Sequence, residues 1–297
     1  MSAVNPDELR LAADRAARIA GATKVAGVEL VQQLWSGYGA IMRLTLSGGG
    51  PPTCVVKWIR PPMGRDDASH RRKLRSYEVE RAFYARFAPQ LPPACRVPAI
   101  FGATEGDGEQ LLVMEDLSAA GYGLRRRRCD RRELLACLDW LASFHAAFMS
   151  VEPEGLWPVG TYWHLDTRAE ELARMAEGPL KREARGLDLE LKGARHQTLV
   201  HGDAKEANFC FGARGVAAID FQYVGRGPGV RDVAYLLGGG SAEAAGVSVG
   251  EALARYLGSL AERLAPSVDH DAVAVETRAL FPVAERDFQR FLAGWSP

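Results

Sequence analysis

Apolar residues first recur along this chain at helical spacing. In DELRLAADRAARIA, residues 7–20, Leu9, Ala12, Ala16 and Ile19 share one face and Gly21 supplies a stop, so a helix is predicted there. Over residues 28–59 the pattern changes. VELVQQLW, AIMRLTL and TCVVKWI are short, apolar and rich in β-branched residues, broken by SGYG and SGGGPP, which is the pattern of an antiparallel meander. A second helix is predicted over 69–87. After QLPPACRVP, the stretches AIFGAT and QLLVMEDL read as two more strands, joined by a hairpin turn at Glu105, Gly106, Asp107 and Gly108. Residues 1–117 thus predict a five-stranded sheet with a helix laid against it.

Beyond Ser118 helical spacing dominates. Leu134, Leu138, Leu141, His145 and Phe148 fall on one face of a long helix, and two more helices are predicted within 249–295. One hairpin interrupts them, FCF-GARG-VAAIDF at 209–221. The fold class is therefore α+β, with a β-rich part at 1–117 and a mainly helical part at 118–297 whose junction is the expected ligand site.

Composition narrows the function. The 297 residues are 47% hydrophobic and 25% charged, as in ordinary globular proteins, and 37 basic residues balance 37 acidic ones. No overall field favours nucleic acid or an anionic membrane, so the expected partner is a small molecule. Five scattered cysteines without a CxxC pair argue for reduced thiols rather than a disulfide framework or zinc cage. The start MSAVNPDELR lacks a basic and then apolar leader, and no run of about 18 apolar residues occurs, so a cytoplasmic protein is expected.

The densest chemistry lies in LVHGDAKEANFCFGARGVAAIDFQ, residues 199–222. Folding 209–211 against 216–218 makes Asn208 and Asp220 neighbours across the hairpin. A carboxylate beside an amide oxygen suits Mg²⁺, which takes one or two protein groups and fills its shell with water and phosphate oxygens. Asp203 lies on the loop entering the same hairpin, within reach of a substrate held near that metal.

The ordered set HGD (201–203), Asn208 and IDFQ (219–222) resembles the catalytic and metal-binding motifs of the aminoglycoside phosphotransferase and choline kinase superfamily. Gln222 after IDF makes the chain most similar to the ecdysteroid-kinase-like (CHK kinase-like) branch. The resemblance covers most of the chain. It implies a protein-kinase-like, two-lobed fold, ATP and Mg²⁺ as cofactors, and transfer of the γ-phosphoryl group to a substrate hydroxyl. Asp203 would then be the catalytic aspartate, Asn208 and Asp220 the metal ligands, and His201 a brace for the loop.

The first part of the chain is consistent with this. Lys57 sits mid-strand in CVVKWI on the face of Val55 and Ile59, where an ammonium needs a partner, since breaking a buried pair costs roughly 3–5 kcal/mol. On the 69–87 helix, Glu80 falls near the centre of the face made by Tyr77, Phe83, Tyr84 and Phe87, while Glu78 points outward. The resemblance, through ERAFY, pairs Lys57 with Glu80; the alternative is that Lys57 snorkels to an edge and Glu80 meets an arginine. In SGYGAIM, Gly37 and Gly39 would let amides approach phosphates, although a plain hairpin turn explains them equally and Met42 replaces a third glycine. LLVMEDL resembles the superfamily's hinge, where backbone groups of Glu115 and Leu117 would bond adenine.

Only eleven residues separate Asp220 from Asp232, too few for a protein kinase's activation segment, and neither DFG nor APE occurs. A protein acceptor is disfavoured. Asp232 is either the brace beneath the catalytic loop that the resemblance implies or a carboxylate favoured by a helix N-terminus. Arg125, Arg126, Arg127 and Arg128, with Arg131 and Arg132, read as a solvated face or an anion patch. His145 reads as a core histidine. Trp157, Tyr162, Trp163 and His164 are packing residues or pocket walls. The acceptor expected is a neutral, largely apolar alcohol; the rivals are a cationic acceptor, with Asp166 near those aromatics, and a catalytically silent nucleotide-binding module.

Overall fold

The computed structural model describes residues 5–106 and 108–295; Asp107 of the 105–108 turn and residues 1–4 of the amino terminus lie outside them. The chain divides into two compact units, Met1–Arg75 with Val97–Gly123, and Ser76–Arg96 with Leu124–Pro297.

The first unit opens with α1 (Pro6–Ile19), capped by Asn5, whose side chain accepts from the Asp7 N–H. β1 (Lys24–Gln33), β2 (Gly39–Ser47), β3 (Thr53–Ile59), β4 (Ile100–Gly106) and β5 (Glu109–Glu115) form one antiparallel sheet in the order β1-β2-β3-β5-β4. Ala12, Ala13, Ala16 and Ala17 of α1 are buried against Met42, Leu44, Cys54, Val56, Trp58 and Val113. Methyl-sized side chains let this helix lie close on the sheet. Because strand side chains alternate, Val55, Lys57 and Ile59 occupy the opposite face of β3, and Lys57 is nonetheless buried.

The covering helix is thus α1. The helix expected over 69–87 appears as α2 (Ala68–Ala82), continued by one widened π turn, Phe83–Phe87, and it is shared between the units from Ser76 onward. Its aromatic end packs within the second unit. Phe83 stacks on Phe221 at 4.0 Å and Phe87 meets Phe148 edge-on at 5.8 Å, ring partners that the small-residue face of α1 does not offer.

The second unit contains β6 (Leu124–Arg125), α3 (Arg131–Ala147), α4 (Ala169–Arg174), α5 (Pro179–Lys192), β7 (Thr198–Val200), β8 (Phe209–Gly212), β9 (Gly215–Ala218), β10 (Gly225–Gly227), α6 (Val230–Leu237), α7 (Ser241–Ala244), α8 (Val249–Ala261) and α9 (His270–Trp295). Asp130 and Glu133 close a capping box at the start of α3. α3 packs on α8, while α5 and α6 pack on α9. β6, β8 and β9 form one small sheet and β7 pairs antiparallel with β10.

The arginine run is absorbed by local structure. Arg125 lies in β6 opposite Cys210, Arg126 bonds Glu133 at 2.7 Å, and Arg128 bonds the Ser241 hydroxyl and the Gly239 carbonyl at 3.1 and 3.0 Å. No helix among the described residues is long and apolar enough to cross a membrane.

Candidate active site

The β8–β9 hairpin has the register read from the sequence: Phe209 faces Ala218, Cys210 faces Ala217, Phe211 faces Val216, and Gly212 faces Gly215. The Ile219 N–H donates to the Asn208 carbonyl at 3.0 Å, extending the ladder to the hairpin's base. There Asp220 turns into the left-handed region at φ 69°, a conformation that aspartate tolerates better than most residues and that re-aims its carboxylate. The Asn208 amide nitrogen donates to both the carbonyl and Oδ2 of Asp203, each at 2.8 Å.

Asp203 is the centre of this group. Lys205 Nζ lies 2.9 Å from its Oδ2, the Tyr235 hydroxyl donates to Oδ1 at 3.2 Å, and its N–H donates to His201 Nδ1 at 3.2 Å. Burial raises its pKa above the ordinary carboxylate value; Lys205 opposes that rise and the charge of Asp220 adds to it. Burial likewise pushes the Tyr235 hydroxyl far above the usual tyrosine range, with Asp203 reinforcing it, so Tyr235 stays a donor.

His201 is fully buried. Its Nε2 donates to the Ile219 carbonyl at 3.1 Å, and its ring lies 4.7 Å from that of Phe221. Asp232 secures the loop from behind, accepting the His201 N–H at 2.6 Å, the Gly202 N–H at 3.0 Å and His145 Nε2 at 3.1 Å. Of the two sequence readings of Asp232, the brace is the one the contacts support. Gly202, at φ +79°, has no room for a side chain, since a Cβ would stand 2.1 Å from the Tyr223 carbonyl oxygen.

These residues fit a divalent cation by their donor chemistry. With its amide nitrogen turned to Asp203, Asn208 keeps Oδ1 as an acceptor, and Ile219, the residue before Asp220, pairs with it across the hairpin. A cation there would offset the like charges of Asp203 and Asp220. Among the described residues no cluster of three His, Cys, Asp or Glu side chains is arranged for a metal.

Glu80 is 2% exposed whereas Glu78 is exposed, as the helical face requires. Burial pushes the Tyr84 hydroxyl well above the usual tyrosine range, with the charges of Glu80 and Asp220 adding to the rise. In the first unit, Gly37 and Gly39 belong to the β1–β2 hairpin at φ 76° and 125°, and a Cβ on Gly39 would meet the Trp58 carbonyl oxygen at 2.1 Å. Glu115 accepts the Ala99 N–H through Oε2 at 3.0 Å, and the Leu117 carbonyl accepts from Tyr122 at 2.8 Å.

The aromatic stretch divides. Trp163 is core, 1% exposed, packed on Phe288 and Phe291. Trp157 and Tyr162 are half-buried, flank Tyr223 at ring separations of 6.0 and 5.8 Å, and continue to Tyr235. Asp166 is not part of that group; it is exposed and lies 3.7 Å from Lys192. Lys205 and Tyr235 are the neighbours of Asp203 that the sequence reading missed. Lys205 stands two residues from Asp203 on the same loop, which is a usable signal, whereas Tyr235 arrives only through the packing of α6.

A sequence profile of the phosphotransferase enzyme family matches residues 32–267. A search of curated protein sequences found no match. Among solved structures, the chain resembles aminoglycoside phosphotransferase APH(3'')-Id from Streptomyces rimosus in complex with ADP and streptomycin, at 16% identity and TM-score 0.53, covering 94% of this chain and 99% of that one. It also resembles a choline kinase from Cryptosporidium parvum (11% identity, TM-score 0.52, covering 97% and 94%). A third is an amicoumacin kinase in complex with AMP-PNP and Ca²⁺ (15%, TM-score 0.51, 94% and 87%). At these identities the likeness is one of fold, a kinase-like α+β arrangement.

Proposed function

The chain belongs to the phosphotransferase enzyme family, and from that premise we propose that it is an ATP-dependent small-molecule kinase, nearest by resemblance to the ecdysteroid-kinase-like branch. The observation that carries this reading is the fixation of Asp203, with Lys205 and Asn208 on Oδ2, Tyr235 on Oδ1, and Asp232 behind the loop. A carboxylate so held aligns the acceptor hydroxyl and takes its proton as the new O–P bond forms and the bond to the nucleotide's β-phosphate oxygen breaks. Its raised basicity assists, although a loose transition state needs alignment more than early proton removal. Asn208 Oδ1 and Asp220 are the groups to hold Mg²⁺, which when bound neutralises charge on the nucleotide phosphates. Lys57, with Glu80 as partner, and the amides of the Gly37 and Gly39 hairpin are assigned to those phosphates, and the backbone of Glu115 and Leu117 to adenine.

The acceptor is a neutral, largely apolar alcohol. The wall formed by Trp157, Tyr162, Tyr223 and Tyr235 beside Asp203 supports this, as does the position of Asp166 against Lys192 rather than in that wall. Zero net charge and five buried free cysteines support a cytoplasmic enzyme with no nucleic-acid or membrane partner.

ADP release measured over sterol-like alcohols, choline analogues and aminoglycosides tests the assignment. Release with the neutral members is expected, together with calorimetric ATP binding that survives Asp203→Asn and weakens in Asp220→Ala. ATP binding without release on any alcohol would make the chain a silent nucleotide-binding module. Release confined to cationic members would overturn the acceptor class.

A further inference from the structure

Arg231 precedes Asp232 on α6, and the two side chains have opposite fortunes. Asp232 is saturated by the catalytic loop. Arg231 is 1% exposed, yet its guanidinium makes one long hydrogen bond, 3.4 Å from Nη1 to the Thr161 hydroxyl, and its Nε and Nη2 have no hydrogen-bond partner among the described residues. Its carboxylate partners are long ion pairs, Nη2 with Asp188 at 3.7 Å and Nη1 with Asp287 at 3.8 Å. Each has a closer partner elsewhere: Asp188 in His164 at 3.0 Å and Lys192 at 2.8 Å, Asp287 in Arg290 at 2.9 Å. A guanidinium has five donors in a fixed fork, and leaving them unmet in the interior is costly.

The same residue lines a cavity of about 300 Å³. Among the described residues lining it, Arg231, Lys192 and Arg226 are cationic and none carries a carboxylate, while Pro158, Val159 and Leu191 supply apolar wall. Lys192 pairs with Asp188 at 2.8 Å and Asp166 at 3.7 Å, and Arg226 with Glu152 at 2.6 Å, and each retains a donor for an anion. None of the lining residues belongs to the group around Asp203, Asn208 and Asp220.

We propose that this cavity is a second binding site, for a small organic anion that sets carboxylate or phosphate oxygens on Arg231 and an apolar body against Pro158, Val159 and Leu191. A planar fork matched to two oxygens makes the strongest kind of charge-assisted hydrogen bond. An occupant would sit behind the catalytic loop, since Thr161 is held at φ 109° and the next residue, Tyr162, donates to the Gly202 carbonyl at 3.0 Å.

Calorimetric titration of the full chain with benzoate, phenyl phosphate and inorganic phosphate, each with and without saturating ATP, tests the site. Binding of benzoate or phenyl phosphate with a dissociation constant of about 1 mM or tighter is expected, unaffected by ATP and roughly tenfold weaker in Arg231→Met. The preferred arm tells carboxylate from phosphate. Lys192→Met and Arg226→Met, both at the cavity's rim, weaken binding about threefold each and carry the test should Arg231→Met fail to fold. No binding at about 10 mM, wild-type affinity in both rim variants, or displacement by ATP overturns the proposal. Because the readout is binding and not turnover, it stands or falls separately from the kinase assignment.

Discussion

The Tyr235 hydroxyl donates to Asp203 Oδ1 at 3.2 Å while Lys205 and Asn208 hold Oδ2, so both oxygens of one carboxylate are fixed by groups from different segments. Fixing an oxygen is worth less than supplying it. Asp203→Asn is expected to lower kcat by about a thousandfold with ATP binding retained, and Tyr235→Phe by about tenfold with an unchanged KM for ATP. Steady-state kinetics on the best acceptor separates the two; an effect of Tyr235→Phe on ATP KM alone would remove its orienting role.

Two glutamates two residues apart on α2 differ in burial, Glu80 being enclosed and Glu78 exposed. Glu80→Ala should destabilise by about 3 kcal/mol, because it removes a buried carboxylate from a packed aromatic face, and Glu78→Ala by no more than about 0.5 kcal/mol. Thermal melts of the pair give the answer. Equal shifts would place the helix in a different rotation.

Asp232 accepts two backbone N–H groups and a histidine in a fully buried position. Asp232→Ala leaves all three donors unmet and should cost about 3 kcal/mol or more in urea unfolding. Asp232→Asn keeps one acceptor but sets an NH₂ against an N–H, so it should recover only part of that loss.

Burial raises the Cys54 thiol to about 11, with Asp116 adding to the rise, and raises Cys95 to about 12. An acid whose folded pKa is raised stays protonated until the pH approaches that value, so at pH 8 both are neutral thiols out of reach of solvent. All five cysteines are buried and free. Ellman's reagent at pH 8 should titrate none within minutes in the native protein and all five in denaturant; rapid native labelling would contradict the packing around them.

Much of the first unit was legible because its strands alternate and its turns are punctuated by glycine and proline; β2, β3 and the β8–β9 register lie where their patterns place them. α5 was missed. Its apolar positions are diluted by charge, and one of its buried residues is Asp188, which no hydrophobic periodicity registers. β7 and β10 have three residues each, too short for a period of two to appear. Within the site, the residues close in sequence to HGD could be read directly, whereas Tyr235 reaches Asp203 only because α6 packs on α9.

The hairpin that carries Asn208 and Asp220 behaves as a cantilever. Its base is welded by the Ile219–Asn208 hydrogen bond and the bonds from Asn208 to Asp203, whereas Ala213, Arg214 and Gly215 at the tip are exposed. Length change at the tip leaves the base in place, but a residue inserted within either arm slides the ladder by one and turns every side chain below it to the other face. Ala213 is therefore an attachment point for a fluorophore or an epitope that hangs from the Asp203 cluster without loading it.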